Sequence, residues 1–67
     1  MDEVGHYEVW KDNRMIKRLA NKSQARGFVK ACIMIGANVD DYTIYRIVNS
    51  NMVNVTDNVM KDVITNP

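Results

Sequence analysis

Apolar positions along this chain switch between a spacing of two and a spacing of three to four, and each switch marks an element. Tyr7 to Lys11 reads as a strand, since Tyr, Val and Trp favour a pleated surface. Asp12-Asn13 follows with two residues that tolerate the positive φ of a tight hairpin. Arg14 to Leu19 is the return strand. A two-residue loop then pairs Lys11 with Arg14, Trp10 with Met15, Val9 with Ile16, Glu8 with Lys17 and Tyr7 with Arg18. In that register Glu8 and Lys17 form a complementary cross-strand pair. Tyr7, Val9 and Ile16 share one face with Lys11, Arg14 and Arg18, and Trp10, Met15 and Leu19 share the other with Glu8 and Lys17. Both faces are mixed. The reading adopted puts Val9 and Ile16 inward, with Leu19 turning in as the strand ends.

The period then changes. Ala25, Phe28, Val29, Cys32, Ile33 and Gly36 recur at helical spacing, while Arg26 and Lys30 fall on the opposite side. Asn21 or Ser23 can cap this helix, and Gln24 three residues after Asn21 makes a loose capping box. Gly36 is a natural stop. Gly27 interrupts the helix at a cost of about 1 kcal/mol against Ala, and close packing would explain it. Asn38 to Asp41 is a turn. Tyr42 to Val48 is a third strand, with Tyr45 and Ile47 on one side and Ile44 and Val48 on the other. Asn49-Ser50-Asn51 is a second turn and Met52 to Val55 a short fourth strand. Thr56 is placed to cap a short helix with Val59, Met60, Val63 and Ile64 on one stripe, which Asn66-Pro67 ends.

The order hairpin, helix, strand, then C-terminal strand and helix, predicts an α+β fold, a two-layer sandwich with a sheet covered on one face by the main helix. All 67 residues form one small domain, residues 1–67. The second sheet face needs cover as well, from the C-terminal helix, a second copy or a partner.

Composition narrows the function classes. Apolar residues make up 46% and charged residues 25%, which is globular and argues against disorder. The one cysteine, Cys32, cannot form an internal disulfide, and with a single histidine it cannot build a structural zinc site. The longest near-apolar run, Ala31 to Ala37, is too short to span a membrane. Asp2 and Glu3 are wrong for the start of a signal peptide. These features predict a cytoplasmic protein with no membrane association. Net charge is +1, unevenly spread: residues 11–30 carry +6, residues 1–10 carry −3 and residues 31–67 carry −2.

Candidate chemistry is sparse. His6 lacks a partner at motif spacing and reads as a surface histidine rather than a general base. Cys32 sits on the apolar stripe of the main helix, where a buried structural thiol is expected. Asp40-Asp41 lacks the further oxygen ligands of a calcium loop and reads as a turn. Gly5, Gly27 and Gly36 are too scattered for a nucleotide-binding loop. The chain is therefore expected to be non-catalytic, with no cofactor and no metal.

Two surface features remain. Trp10, Met15 and Tyr45, flanked by Arg14 and Lys17, have the composition of a protein-binding hot spot. Lys11, Arg14, Lys17, Arg18, Arg26 and Lys30, interleaved with Tyr7, Trp10 and Tyr45, instead suit nucleic-acid contact. A solvated basic face balanced by acidic ends is the plainer reading of those cations, because the pI is only about 7.9. The hairpin Tyr7-Glu8-Val9-Trp10-Lys11-Asp12-Asn13-Arg14, the helix around Lys22-Ser23-Gln24-Ala25 and the strand Tyr42-Thr43-Ile44-Tyr45-Arg46-Ile47-Val48 together resemble, in organisation, small early or host-takeover proteins of bacteriophages. That resemblance implies a protein that occupies a surface of a host enzyme, polymerase, nucleic-acid-binding protein or defence complex. The expectation is thus a binding module that modulates or inhibits a larger protein partner by occlusion. Nucleic-acid binding is the alternative, and a homodimer is compatible with both.

Overall fold

A computed structural model describes residues 5–65. The elements are β1 (Gly5–Lys11), β2 (Arg14–Leu19), α1 (Lys22–Met34), a single 3-10 turn (Val39–Asp41), β3 (Thr43–Val48), β4 (Asn51–Asn54) and α2 (Thr56–Thr65). This is the two-layer α+β arrangement, with both the fourth strand and the C-terminal helix present. The helix stop assigned to Asn66-Pro67 lies outside the described residues.

All four strands form one antiparallel sheet in the order β2-β1-β3-β4. Both hairpins turn on two residues with positive φ, Asp12 (53°) with Asn13 (63°) and Asn49 (51°) with Ser50 (69°). That geometry matches the right-handed twist of the flanking strands. Asn21 is the N-cap of α1. Its Oδ1 accepts from the Gln24 N–H at 2.9 Å, and Gln24 Oε1 accepts from the Ala20 N–H at 2.9 Å. The helix ends at Gly36, φ 81°, where the Ala37 N–H donates to Cys32 O and the Gly36 N–H to Ile33 O. Those bonds are the Schellman pattern, which selects glycine at this position.

Both helices lie on one face of the sheet. Tyr7, Val9, Leu19 and Ile44 from the strands form a single buried cluster with Ala25 and Val29 of α1 and Val59 and Val63 of α2. Phe28 and Tyr42 extend it, with ring centroids 6.1 Å apart. Lys22 ties the helices together, its Nζ lying 3.0 Å from Asn58 Oδ1 and 2.7 Å from Asp62 Oδ2. The C-terminal helix is therefore beside the main helix and is not the cover of the second face.

Four local expectations need correction. The β1–β2 register shifts between Val9 and Trp10, so Val9 is opposite Lys17, Glu8 opposite Arg18 and Tyr7 opposite Leu19. Ile16 is the extra residue of this bulge and is 42% exposed rather than inward. Thr56 is not the cap of α2: its Oγ1 accepts from the Ile44 N–H at 2.8 Å, while Asn54 Oδ1 accepts from both the N–H and the hydroxyl of Thr56. Gly27 permits no close packing, since a Cβ there would meet nothing within 4 Å.

Gly5 is the glycine that contact requires. A Cβ at this position would lie 2.6 Å from the backbone oxygen of Ile47 and 3.1 Å from Val48 Cγ2. Backbone cannot swing aside as a side chain can. Gly5→Ala is expected to cost about 1–3 kcal/mol, the range for overpacking, seen as a lower denaturant midpoint at unchanged slope. An unchanged midpoint would show that the start of β1 is not held against β3.

Candidate functional site

The face of the sheet turned away from the helices is the candidate site. Alternation along each strand decides its membership, because Val9 and Ile44 are paired and point into the core. Their neighbours point outward: His6, Glu8 and Trp10 on β1, and Thr43, Tyr45 and Ile47 on β3. Register adds Met15 and Arg18 from β2, opposite Trp10 and Glu8, and Met52 and Asn54 from β4, opposite Ile47 and Tyr45.

The centre of this face is aromatic. Trp10 and Tyr45 meet edge to face, with ring centroids 6.1 Å apart and planes at 86°. Such pairs contribute about 0.5–1.5 kcal/mol beyond the area they bury. Met15 (45% exposed) and Met52 (49%) flank them. A shallow depression of about 180 Å³ opens beside Trp10, lined also by Lys11, Asp12, Asn13, Asp41, Thr43 and Tyr45. It is smaller than the pockets that enclose drug-sized ligands.

A polar line runs along β1 beside the aromatics. The Trp10 Nε1–H donates to Glu8 Oε1 at 3.0 Å, and His6 Nε2 lies 2.7 Å from Glu8 Oε2. Arg18 Nη2 is 3.5 Å from His6 Nδ1. The Nε2–H tautomer of His6 suits both of these contacts. Glu8 thus fixes the indole orientation. The hydrogen bond from His6 holds the Glu8 carboxyl below its ordinary value. Burial opposes this, and the Trp10 N–H and the Arg18 charge add to it.

A depressed folded-state value means that the unfolded chain binds the extra proton first as pH falls. The contribution of Glu8 is therefore complete above the ordinary glutamate value of about 4.3 and is lost as pH drops through the lower folded value. Glu8→Gln removes the charge and leaves one acceptor oxygen in place of two, so only one of the two neighbours keeps its bond. The stability gap between wild type and this variant should be widest above the ordinary glutamate value and narrow as pH falls below it. Chemical denaturation at stepped pH measures it, and a gap independent of pH would refute the assignment.

The sequence-derived site residues do not all meet here. Trp10, Met15 and Tyr45 share the open face. Arg14 is opposite Lys11 and Lys17 is opposite Val9, so both lie on the helix side of the β2 edge. Lys11 stands over the Tyr42 ring at 5.5 Å. Arg18 is on the open face. Arg26 lowers the Asp62 carboxyl from the flank of α1, behind the larger effect of the Lys22 hydrogen bond, and Lys30 borders a groove with Val63 and Ile64 of α2. The six cations proposed for nucleic acid are thus spread over three surfaces. His6, Glu8 and Ile47 were not among the sequence-derived site residues. Glu8 was already placed on the Trp10 face, and starting β1 one residue earlier at period two would have added His6.

Among the described residues, no three His, Cys, Asp or Glu side chains gather as a metal site. No helix among them is long and apolar enough to cross a membrane. The fold and this face define a small two-layer α+β protein with one sheet face uncovered by its own helices. No family model matches the chain, and no curated protein or solved structure matches it.

Proposed function

We propose that this chain is a non-catalytic binding module that attaches to a larger protein through the open sheet face and modulates or inhibits that partner by occlusion. The observation that carries this reading is the Trp10–Tyr45 pair, flanked by Met15 and Met52, on a face that neither helix covers. Large aromatic and Met side chains beside an arginine are the residues that dominate protein interfaces. The indole is already oriented by Glu8, so little of its freedom remains to be lost on binding. Exposed Arg18 at the margin favours a partner surface that is apolar with an acidic rim. The resemblance to bacteriophage host-takeover proteins points to the same mode of action.

The test is capture from lysate with tagged protein, with and without nuclease, using wild type, Trp10→Ala and Arg26→Ala. The expected result is one dominant protein that survives nuclease, is kept by Arg26→Ala and is lost by a still-folded Trp10→Ala. Recovery of nucleic acid, with co-purifying proteins released on digestion, would overturn this reading in favour of the basic residues. A captured protein indifferent to Trp10 would remove the open face as its docking site.

A further inference from the structure

The two edges of the sheet are built differently. β2 carries Arg14, Lys17 and Arg18 and a bulge at Ile16, devices that keep an edge strand from pairing with another chain. β4 has neither. Its sequence Asn51-Met52-Val53-Asn54 holds no charge and no proline, its register with β3 is unbroken, and all four residues are exposed. We propose that β4 pairs antiparallel with β4 of a second copy, centred on Val53, to join two four-stranded sheets into one of eight strands.

The backbone parity supports this register. The hairpin closes on Val48–Asn51, and the Val55 N–H donates to Ile44 O at 2.9 Å. Asn51, Val53 and Val55 therefore direct their peptide groups toward β3. Alternation leaves the N–H and C=O of Met52 and Asn54 facing away from the sheet. A two-fold axis through Val53 sets Met52 of each copy opposite Asn54 of the other. Each Met52 N–H then donates to an Asn54 carbonyl and each Asn54 N–H to a Met52 carbonyl, so four bonds use every outward group of the strand. An axis through Met52 instead would place Asn54 against Ser50, whose φ of 69° takes it out of strand geometry.

The side chains agree with the same axis. Residues directly opposite in an antiparallel pair share a face, and Met52 and Asn54 are both on the open face. Val53, 55% exposed in one copy, meets its symmetry mate on the helix side. That is a non-hydrogen-bonded site, where Cα atoms approach to about 4.5 Å and side chains touch. An uncharged strand brings no like charges together, whereas β2 against β2 would oppose its own cations. The two-fold pairing is closed, with β2 left as the protected outer edge on both sides. The open faces of the two copies become one continuous surface.

A four-bond ladder belongs with small, exchanging interfaces. The test is therefore sedimentation or light scattering over a concentration series from about 10 μM to about 1 mM. The average mass should climb from 7.7 kDa toward twice that value. Val53→Lys and Val53→Glu, each folded by circular dichroism, should each stay at the single-chain mass, and mixing the two should restore the dimer. Mild oxidation of Val53→Cys should give a disulfide-linked dimer, while Met52→Cys should not, because its symmetry mates are diagonal and beyond disulfide reach. Cys32 is buried and does not compete. A single-chain mass at every concentration would overturn the proposal. So would a dimer that survives Val53→Lys, which would move the contact to another surface such as the groove lined by Ile33, Met34, Val63 and Ile64.

Discussion

Ile44→Ala should leave this protein barely folded at room temperature. Ile44 is fully buried, opposite Val9 on the helix side, in the cluster that joins the sheet to α1 and α2. Its backbone also anchors the β4–α2 junction: the Ile44 N–H donates to Thr56 Oγ1 at 2.8 Å and its carbonyl accepts from the Val55 N–H at 2.9 Å. Truncating a buried Ile to Ala costs about 2–5 kcal/mol, since the lost transfer energy is joined by the cavity left behind. A chain of this size has a total stability of about 3–10 kcal/mol at the usual 0.05–0.15 kcal/mol per residue. The midpoint of thermal unfolding should fall by about 10–30 °C. Ile44→Val, which removes one methyl group, should cost about 0.5–1.5 kcal/mol. A thermal melt of the two variants checks both, and near-equal midpoints would show that the core does not close on this residue.

Trp10→Ala should have the largest effect on binding while leaving the fold in place. The indole is only half-buried and lies outside the core cluster, so its removal costs contact area on the open face rather than core volume. Hot-spot tryptophans cost about 2 kcal/mol or more on truncation, which is a loss of about 30-fold in affinity. Tyr45→Ala removes the other ring of the edge-to-face pair and should weaken the same complex, with less than additive loss in the double variant because the rings contact each other. Lys17→Ala, on the opposite side of the sheet, should change affinity little. Titration of the captured partner by calorimetry measures all four. Equal losses for Trp10→Ala and Lys17→Ala would show that the open face is not what the partner reads.

Much of the fold was legible in the order of residues, and for local reasons. Asp12-Asn13 tolerates the positive φ of a two-residue turn, Asn21 caps α1 while the Gln24 side chain reaches back to the Ala20 N–H, and Gly36 supplies the left-handed stop. Ala25, Val29 and Cys32 recur at helical spacing and are buried. The hairpin register was legible only as far as Trp10–Met15. A bulge inserts one residue without a sequence mark, and everything beyond it moves by one. Half of the candidate site was legible too. Trp10, Met15 and Tyr45 stood out by type, but Arg14 and Lys17 were grouped with them by closeness in sequence, and in a strand neighbours point to opposite faces.

By itself, then, the sequence determined which segments are strands and helices and where the chain turns. These follow from preferences that act within a few residues. Only the tertiary structure decided which side of each strand is core. Both faces of the hairpin carry large apolar side chains beside charges, so burial of Tyr7 and Val9 rather than Trp10 and Met15 depends on contacts with residues far along the chain. The decisive ones are Ile44 from β3, Val29 from α1 and Val59 from α2. Placing α2 beside α1 rather than across the sheet is a choice of the same kind. It is set by where Val59 and Val63 find apolar neighbours and where Lys22 meets Asp62. That choice left the Trp10–Tyr45 face uncovered, because a helix stripe buries itself only once.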